Sequence, residues 1–135
     1  MQETIDGVNK VIQMWGACDL NDMPRILDIR RMASIYRYHL AEVKAEQESA
    51  FITHETHRKT TYYAEIDKHM KDGESRSAAE VKAEVEVREL REKEAMAERT
   101  FKHYRDLLDS IDQVLNAMSS AINNGMQEKK LTRND

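Results

Sequence analysis

SAAEVKAEVEVRELREKEAMAERTFKHYRDLLDSIDQVLNAMSSAIN, residues 77–123, is the stretch whose reading decides the fold. Val87, Leu90, Glu94, Ala97, Phe101, Tyr104, Leu108, Ile111, Leu115, Met118 and Ile122 follow one another in alternating steps of three and four. That spacing is the seam of a coiled-coil helix, because it keeps one stripe facing a partner. A second row at Thr100, Leu107, Val114 and Ala121 widens the apolar face only toward the C-terminal half. The helix should therefore pack narrowly near its start and into a multi-helix core near its end.

Working outward, Lys71-Asp-Gly-Glu-Ser-Arg-Ser77 reads as a turn, and Ser77-Ala-Ala-Glu80 as a capping box opening the helix that follows. Before the turn, residues from about 24 to 71 contain no helix breaker once Pro24 has been placed in the first turn, where Asn21 or Asp22 can cap. Their seam runs Ile29, Ala33, Tyr36, Leu40, Val43, Gln47, Ala50, His54, His57, Thr61, Ala64, apolar at first and polar later. Such a helix is roughly 70 Å long at 1.5 Å per residue. A short loop makes the two long helices antiparallel neighbours. With the turn centred on Glu74, Tyr36 and Leu40 should meet Leu108 and Ile111, and His54 should meet Glu94.

The N-terminal stretch, about 3–17, sets Ile5, Val8, Ile12 and Trp15 on one helical face before Gly16. A helix this short is not stable alone, so that face must be covered by the long helices or by another protein. Asn123-Asn-Gly125 reads as a helix stop, leaving 126–135 as a charged tail. The expected fold is all-α, a long antiparallel coiled-coil-like hairpin with a short N-terminal helix at its base. Residues 1–125 form one domain, with helices at about 3–17, 24–71 and 77–123. Trp15, Tyr104, Leu107, Leu108, Ile111, Leu115, Met118 and Ile122 are the expected core and assembly residues. Three helix ends make a thin core, so self-association into a symmetric or ring-shaped homo-oligomer is expected.

The totals limit the function. With 34% charged residues, four Gly and one Pro, the composition suits long solvated helices. A net charge of -4 argues against a broadly basic nucleic-acid binder but leaves room for a local basic face. Cys18 is the single cysteine, which rules out an internal disulfide framework. No apolar run approaches the ~18 residues of a membrane span, and no signal peptide is recognised, so a cytoplasmic protein is expected. Phosphate-cradling glycine loops, nucleophile elbows and Cys–His pairs in a cleft-forming context are missing from the sequence, so no catalytic residue is expected. His54-Glu-Thr-His57 spaces two imidazoles one turn apart, but a zincin needs four residues of offset with a glutamate inside. No metal or cofactor is expected.

Two stretches interleave cations and aromatics. In the first, Arg30, Arg31, Ser34, Arg37 and Tyr38 accompany the seam residue Tyr36; in the second, Arg58 and Lys59 precede Tyr62 and Tyr63 by about one turn. Together they could bind phosphate and stack unpaired bases without reading sequence. The alternative is that the tyrosines pack on the partner helix while the cations pair with Glu55 or Glu65.

From Ile26 to Asn123 this layout resembles the UvsY-like recombination mediators of tailed phages, small helical ring-forming proteins. Lys59-Thr-Thr-Tyr62-Tyr63 is similar to that family's basic residue followed, after two intervening residues, by a tyrosine pair. Tyr104-Arg-Asp-Leu107-Leu108-Asp109 looks like its aromatic followed by Leu-Leu-Asp, with Leu115, Ala117 and Ile122 continuing the pattern. Tyr36-Arg-Tyr38-His-Leu40 is similar to the start of its long helix. His57 stands where the family has a further basic residue, with Arg58 beside it. The resemblance implies a non-enzymatic, single-stranded-DNA-binding mediator in the host bacterial cytoplasm. Such a protein helps load a RecA-like recombinase onto DNA covered by single-strand-binding protein. The contacts would be Arg58, Lys59, Tyr62 and Tyr63, then Arg30, Arg31, Arg37 and Tyr38. The rival expectation is a coiled-coil scaffold or adaptor that binds another protein through its hairpin.

Overall fold

The computed structural model describes residues 2–133; Met1 and residues 134–135, the last two of the expected tail, lie outside the described residues. The chain is all-helical, with α1 at Gln2–Gly16, α2 at Met23–Lys71, α3 at Arg76–Glu86 and α4 at Arg88–Arg133. The local reasons are in the sequence. Asp22 accepts a hydrogen bond from the Arg25 N–H at 3.1 Å and so caps α2, while Asp19 accepts from the Asn21 N–H at 2.9 Å in the preceding turn. Lys68, His69 and Lys71 in the last turn of α2 complement its dipole. Gly73 then takes φ +92°, a backbone conformation that a side chain would strain.

Three boundaries differ from the sequence reading. Ser75, not Ser77, caps α3, accepting from the Ala78 N–H at 3.3 Å. Ser75 follows the Gly73 reversal more closely, so it reaches the orphan donors first. The single helix expected over 77–123 is interrupted at Val87 (φ -94°, ψ 7°), whose side chain is fully buried. Hydrogen bonds from Val87 N–H to Ala83 and from Arg91 N–H to Val87 continue on either side, so the interruption is one residue deep. At the other end Asn123-Asn-Gly125 does not stop α4, which runs on through most of the expected tail. Gly125 faces Met23 there, and a methyl group added to it would come within 2.6 Å of the Met23 Cε. Helical glycine costs about 1 kcal/mol relative to alanine, which the surrounding helix tolerates.

Packing contacts group the chain into two compact units. The first joins the residues up to Val43 with those from Tyr104 onward. Its core buries Val8 and Val11 of α1, Ile26, Ile29, Ala33 and Leu40 of α2, and Tyr104, Ile111 and Met118 of α4. Trp15, Leu107, Leu108, Leu115 and Ile122 are partly buried against it. The amphipathic face of α1 is thus covered within its own chain. Gly7 makes the approach close: a methyl group there would overlap the ring of Tyr36.

The second unit is Lys44–His103. Ile66 of α2 packs with Ala79 and Ala83 of α3, small residues that let the two helices approach, and Tyr62 covers this cluster. Phe51 stacks on Phe101 with ring centroids 6.2 Å apart, and the Lys44 ammonium lies 5.6 Å over the Phe101 ring. Partners fall in number as α2 rises, from Phe51–Phe101 to Arg58–Glu94 to His69–Glu86, so the segments run in opposite senses.

Candidate nucleic-acid interface

Register decides which cations are available. Glu94 was expected opposite His54, but the guanidinium of Arg58, one turn further along α2, takes it instead. Arg58 donates from Nε to Glu94 Oε2 at 2.6 Å and from the terminal nitrogen to Oε1 at 3.0 Å. This is the two-point fork that an imidazole cannot make. The side chains are only 14% and 15% exposed. The hydrogen bond to Arg58 holds the Glu94 carboxyl below the usual range against a smaller opposing effect of burial, and raises the arginine. Arg58 is therefore structural first.

That shift fixes a pH dependence. Because the folded pKa of Glu94 is depressed, the pair's stabilisation is present above the unfolded value of about 4.3 and is lost as pH falls through the folded value. Glu94→Gln should cost about 1.5 kcal/mol in urea unfolding at neutral pH. The gap from the native protein should narrow in acid. A gap of the same size at pH 7 and pH 3 would refute this assignment.

Lys59 is different. It ion-pairs with Glu55, one turn back, at 2.7 Å, and both side chains are at least a third exposed. Such a pair exchanges readily with solvent ions and contributes little. Tyr63 is 61% exposed and meets Tyr62 edge-on, with centroids 5.4 Å apart. Tyr62 is committed to the Ile66 cluster, so it supports the exposed ring. Around them Ile52, Thr53, Thr56, His57, Lys59, Thr60 and Tyr63 are all exposed. Helical spacing puts Ile52, Thr56, Lys59, Thr60 and Tyr63 on one outward face. Residues 52–63 hold a single carboxylate, Glu55, and four threonines.

The earlier stretch of α2 offers less. Arg37 donates to Asp112 at 2.5 and 3.4 Å, which raises its pKa. Tyr38 is 63% exposed, with its hydroxyl hydrogen-bonded to Glu42 and its pKa raised on that account. Arg30 and Arg31 are exposed, and no ion pair is found for either among the described residues. The structure thus brings Lys59, Tyr62 and Tyr63 together, puts Arg58 at their back, and leaves Arg30, Arg31, Arg37 and Tyr38 in the other unit.

Sequence reasoning passed over the low acidity of residues 52–63, which was countable, and the Arg58–Glu94 pair, which required the register. Among the described residues no helix is long and apolar enough to cross a membrane. No protein-family model, no characterised protein and no solved structure compared with the chain matches it.

Proposed function

We propose that the protein is a single-stranded-DNA-binding recombination mediator, a helical hairpin assembled as a ring-shaped homo-oligomer. In this role it helps a RecA-like recombinase occupy DNA covered by single-strand-binding protein. The observation that carries the reading is the outward face of α2 over 52–63, where a cation, an exposed ring and several hydroxyls are accompanied by one carboxylate. A phosphate can displace Glu55 from Lys59, threonine hydroxyls can donate to neighbouring phosphates, and Tyr63 offers a face for an unpaired base. Repetition of a weak face around a ring would raise the affinity through effective concentration. The resemblance of Lys59-Thr-Thr-Tyr62-Tyr63 to the mediator pattern supports the same reading.

The test is fluorescence anisotropy with single- and double-stranded oligonucleotides at several salt concentrations. Single strands should bind more tightly, with affinity falling as salt rises. Tyr63→Ala should weaken binding about tenfold, within the range of 1–3 kcal/mol per stacked base. Lys59→Ala should flatten the salt slope by about 0.7 for each copy engaged. Binding that ignores both substitutions and salt would exclude this face as the site.

A second reading, a scaffold or adaptor for another protein, is favoured by Val81 and Val85, which sit one turn apart on α3 at 67% and 60% exposure. It predicts no measurable affinity for either oligonucleotide near physiological salt.

A further inference from the structure

We propose that Glu65, His69 and Glu86 form a binding site for a divalent transition-metal ion that clips the end of α2 to the end of α3. Among the described residues, these three bring one ligand atom each within 4.8 Å of the others. The donors come from two segments. Glu65 and His69 lie one turn apart on α2, and Glu86 is the last residue of α3.

The spacing suits a common ion. Bonds of about 2.1 Å in tetrahedral geometry hold ligand atoms about 3.4 Å apart. His69 Nε2 lies 3.0 Å from Glu86 Oε1 and 3.9 Å from Glu65 Oε2, values on either side of that separation. Small rotations of two carboxylates close the difference. The imidazole is already aimed: only 15% of its side chain is exposed, and its other nitrogen, Nδ1, lies 3.4 Å from Glu74 Oε2. A metal-bound histidine usually has this carboxylate at its back, which fixes the ring and raises its basicity. Lys82 ion-pairs with Glu74 and holds it in turn.

Charge and hydrogen bonding point the same way. Glu65 Oε2 is buried from solvent and has no hydrogen-bond partner among the described residues, an arrangement that calls for a cation or donor. A divalent ion held by two carboxylates and one neutral imidazole leaves the cluster with no net charge. Two oxygens and one nitrogen suit zinc, cobalt or manganese better than calcium, which prefers six or more oxygens.

The test uses the full chain, stripped with a chelator and titrated with Co2+ while its visible absorption is followed, then with Zn2+ in competition. One ion per chain should bind. His69→Ala and Glu86→Gln should each lower affinity at least tenfold, and Glu74→Gln by about tenfold through the ring it orients. His54→Ala and His57→Ala should leave affinity unchanged. Far-UV circular dichroism checks each variant. If His69→Ala fails to fold, Glu86→Gln decides, because its side chain is 40% exposed. No Co2+ absorption in the folded native chain would overturn the site, as would native affinity in a folded His69→Ala or Glu86→Gln.

Discussion

Ile111→Ala should lower the unfolding free energy by about 3–4 kcal/mol, the largest stability loss expected from a single substitution here. Its side chain is fully buried in the first unit, in one cluster with Ile29, Leu40 and Met118. Truncation removes three methyl or methylene groups from that cluster and leaves a cavity whose walls are parts of long helices. Helices can collapse into such a space only by moving as bodies, so little of the loss is recovered. Urea unfolding gives the measurement. Met96→Ala on the same helix, where the side chain is 62% exposed, should change stability by less than about 0.5 kcal/mol. Similar effects from the two substitutions would mean that Ile111 does not occupy a packed interior.

Gly7→Ala should cost about 2 kcal/mol, although alanine is the better helix former. The added methyl would overlap the Tyr36 ring. Overpacking of this kind costs about 1–3 kcal/mol, and the gain in helix propensity returns about 1 at most. The ring cannot slide away freely, because Tyr36 is half-buried and packs against the same core as Val8 and Val11. Tyr36→Ala should remove most of the penalty, so the double-mutant cycle should show strong coupling. Gly16→Ala is the internal control, since nothing lies within 4 Å of that position. Equal effects at the two glycines would mean that α1 does not seat on Tyr36.

Much of the helical plan was legible because it rests on periodicity. The seam through Tyr104, Ile111 and Met118 names positions that lie in the first core, and Asp22 with Pro24 marks the start of α2. What the sequence hid depends on which residue faces which. His54 and Arg58 lie one turn apart on nearly the same face. Only the register, and the two-pronged fit of a guanidinium to a carboxylate, assign Glu94 to Arg58. The Lys59–Glu55 pair, four residues apart, could be anticipated; the Arg37–Asp112 pair could not. Two of the cations read as phosphate contacts are thus engaged across helices, while Lys59 ion-pairs with its neighbour one turn back.

The helix ends misled for a related reason. Asn123-Asn-Gly125 has the composition of a stop, yet a stop requires the backbone to turn left-handed after it. Contact with Met23 and continuation to Arg133 hold this backbone helical. Similarly, Glu65 and His69 show the one-turn spacing of a ligand pair, but Glu86 joins them only after the chain has reversed at Gly73.

The division into two units also bears on the order in which the chain acquires structure. Lys44–His103 is one uninterrupted segment, whereas the first unit is assembled from residues far apart in sequence. Contacts within the uninterrupted segment close short loops, so they can form early and draw the distant segments together at a reduced entropic cost. On the ribosome the asymmetry is sharper. At about 5–20 residues per second, Ile26 waits on the order of ten seconds before Ile111 has been made. During that interval the apolar faces of α1 and early α2 have only each other for cover.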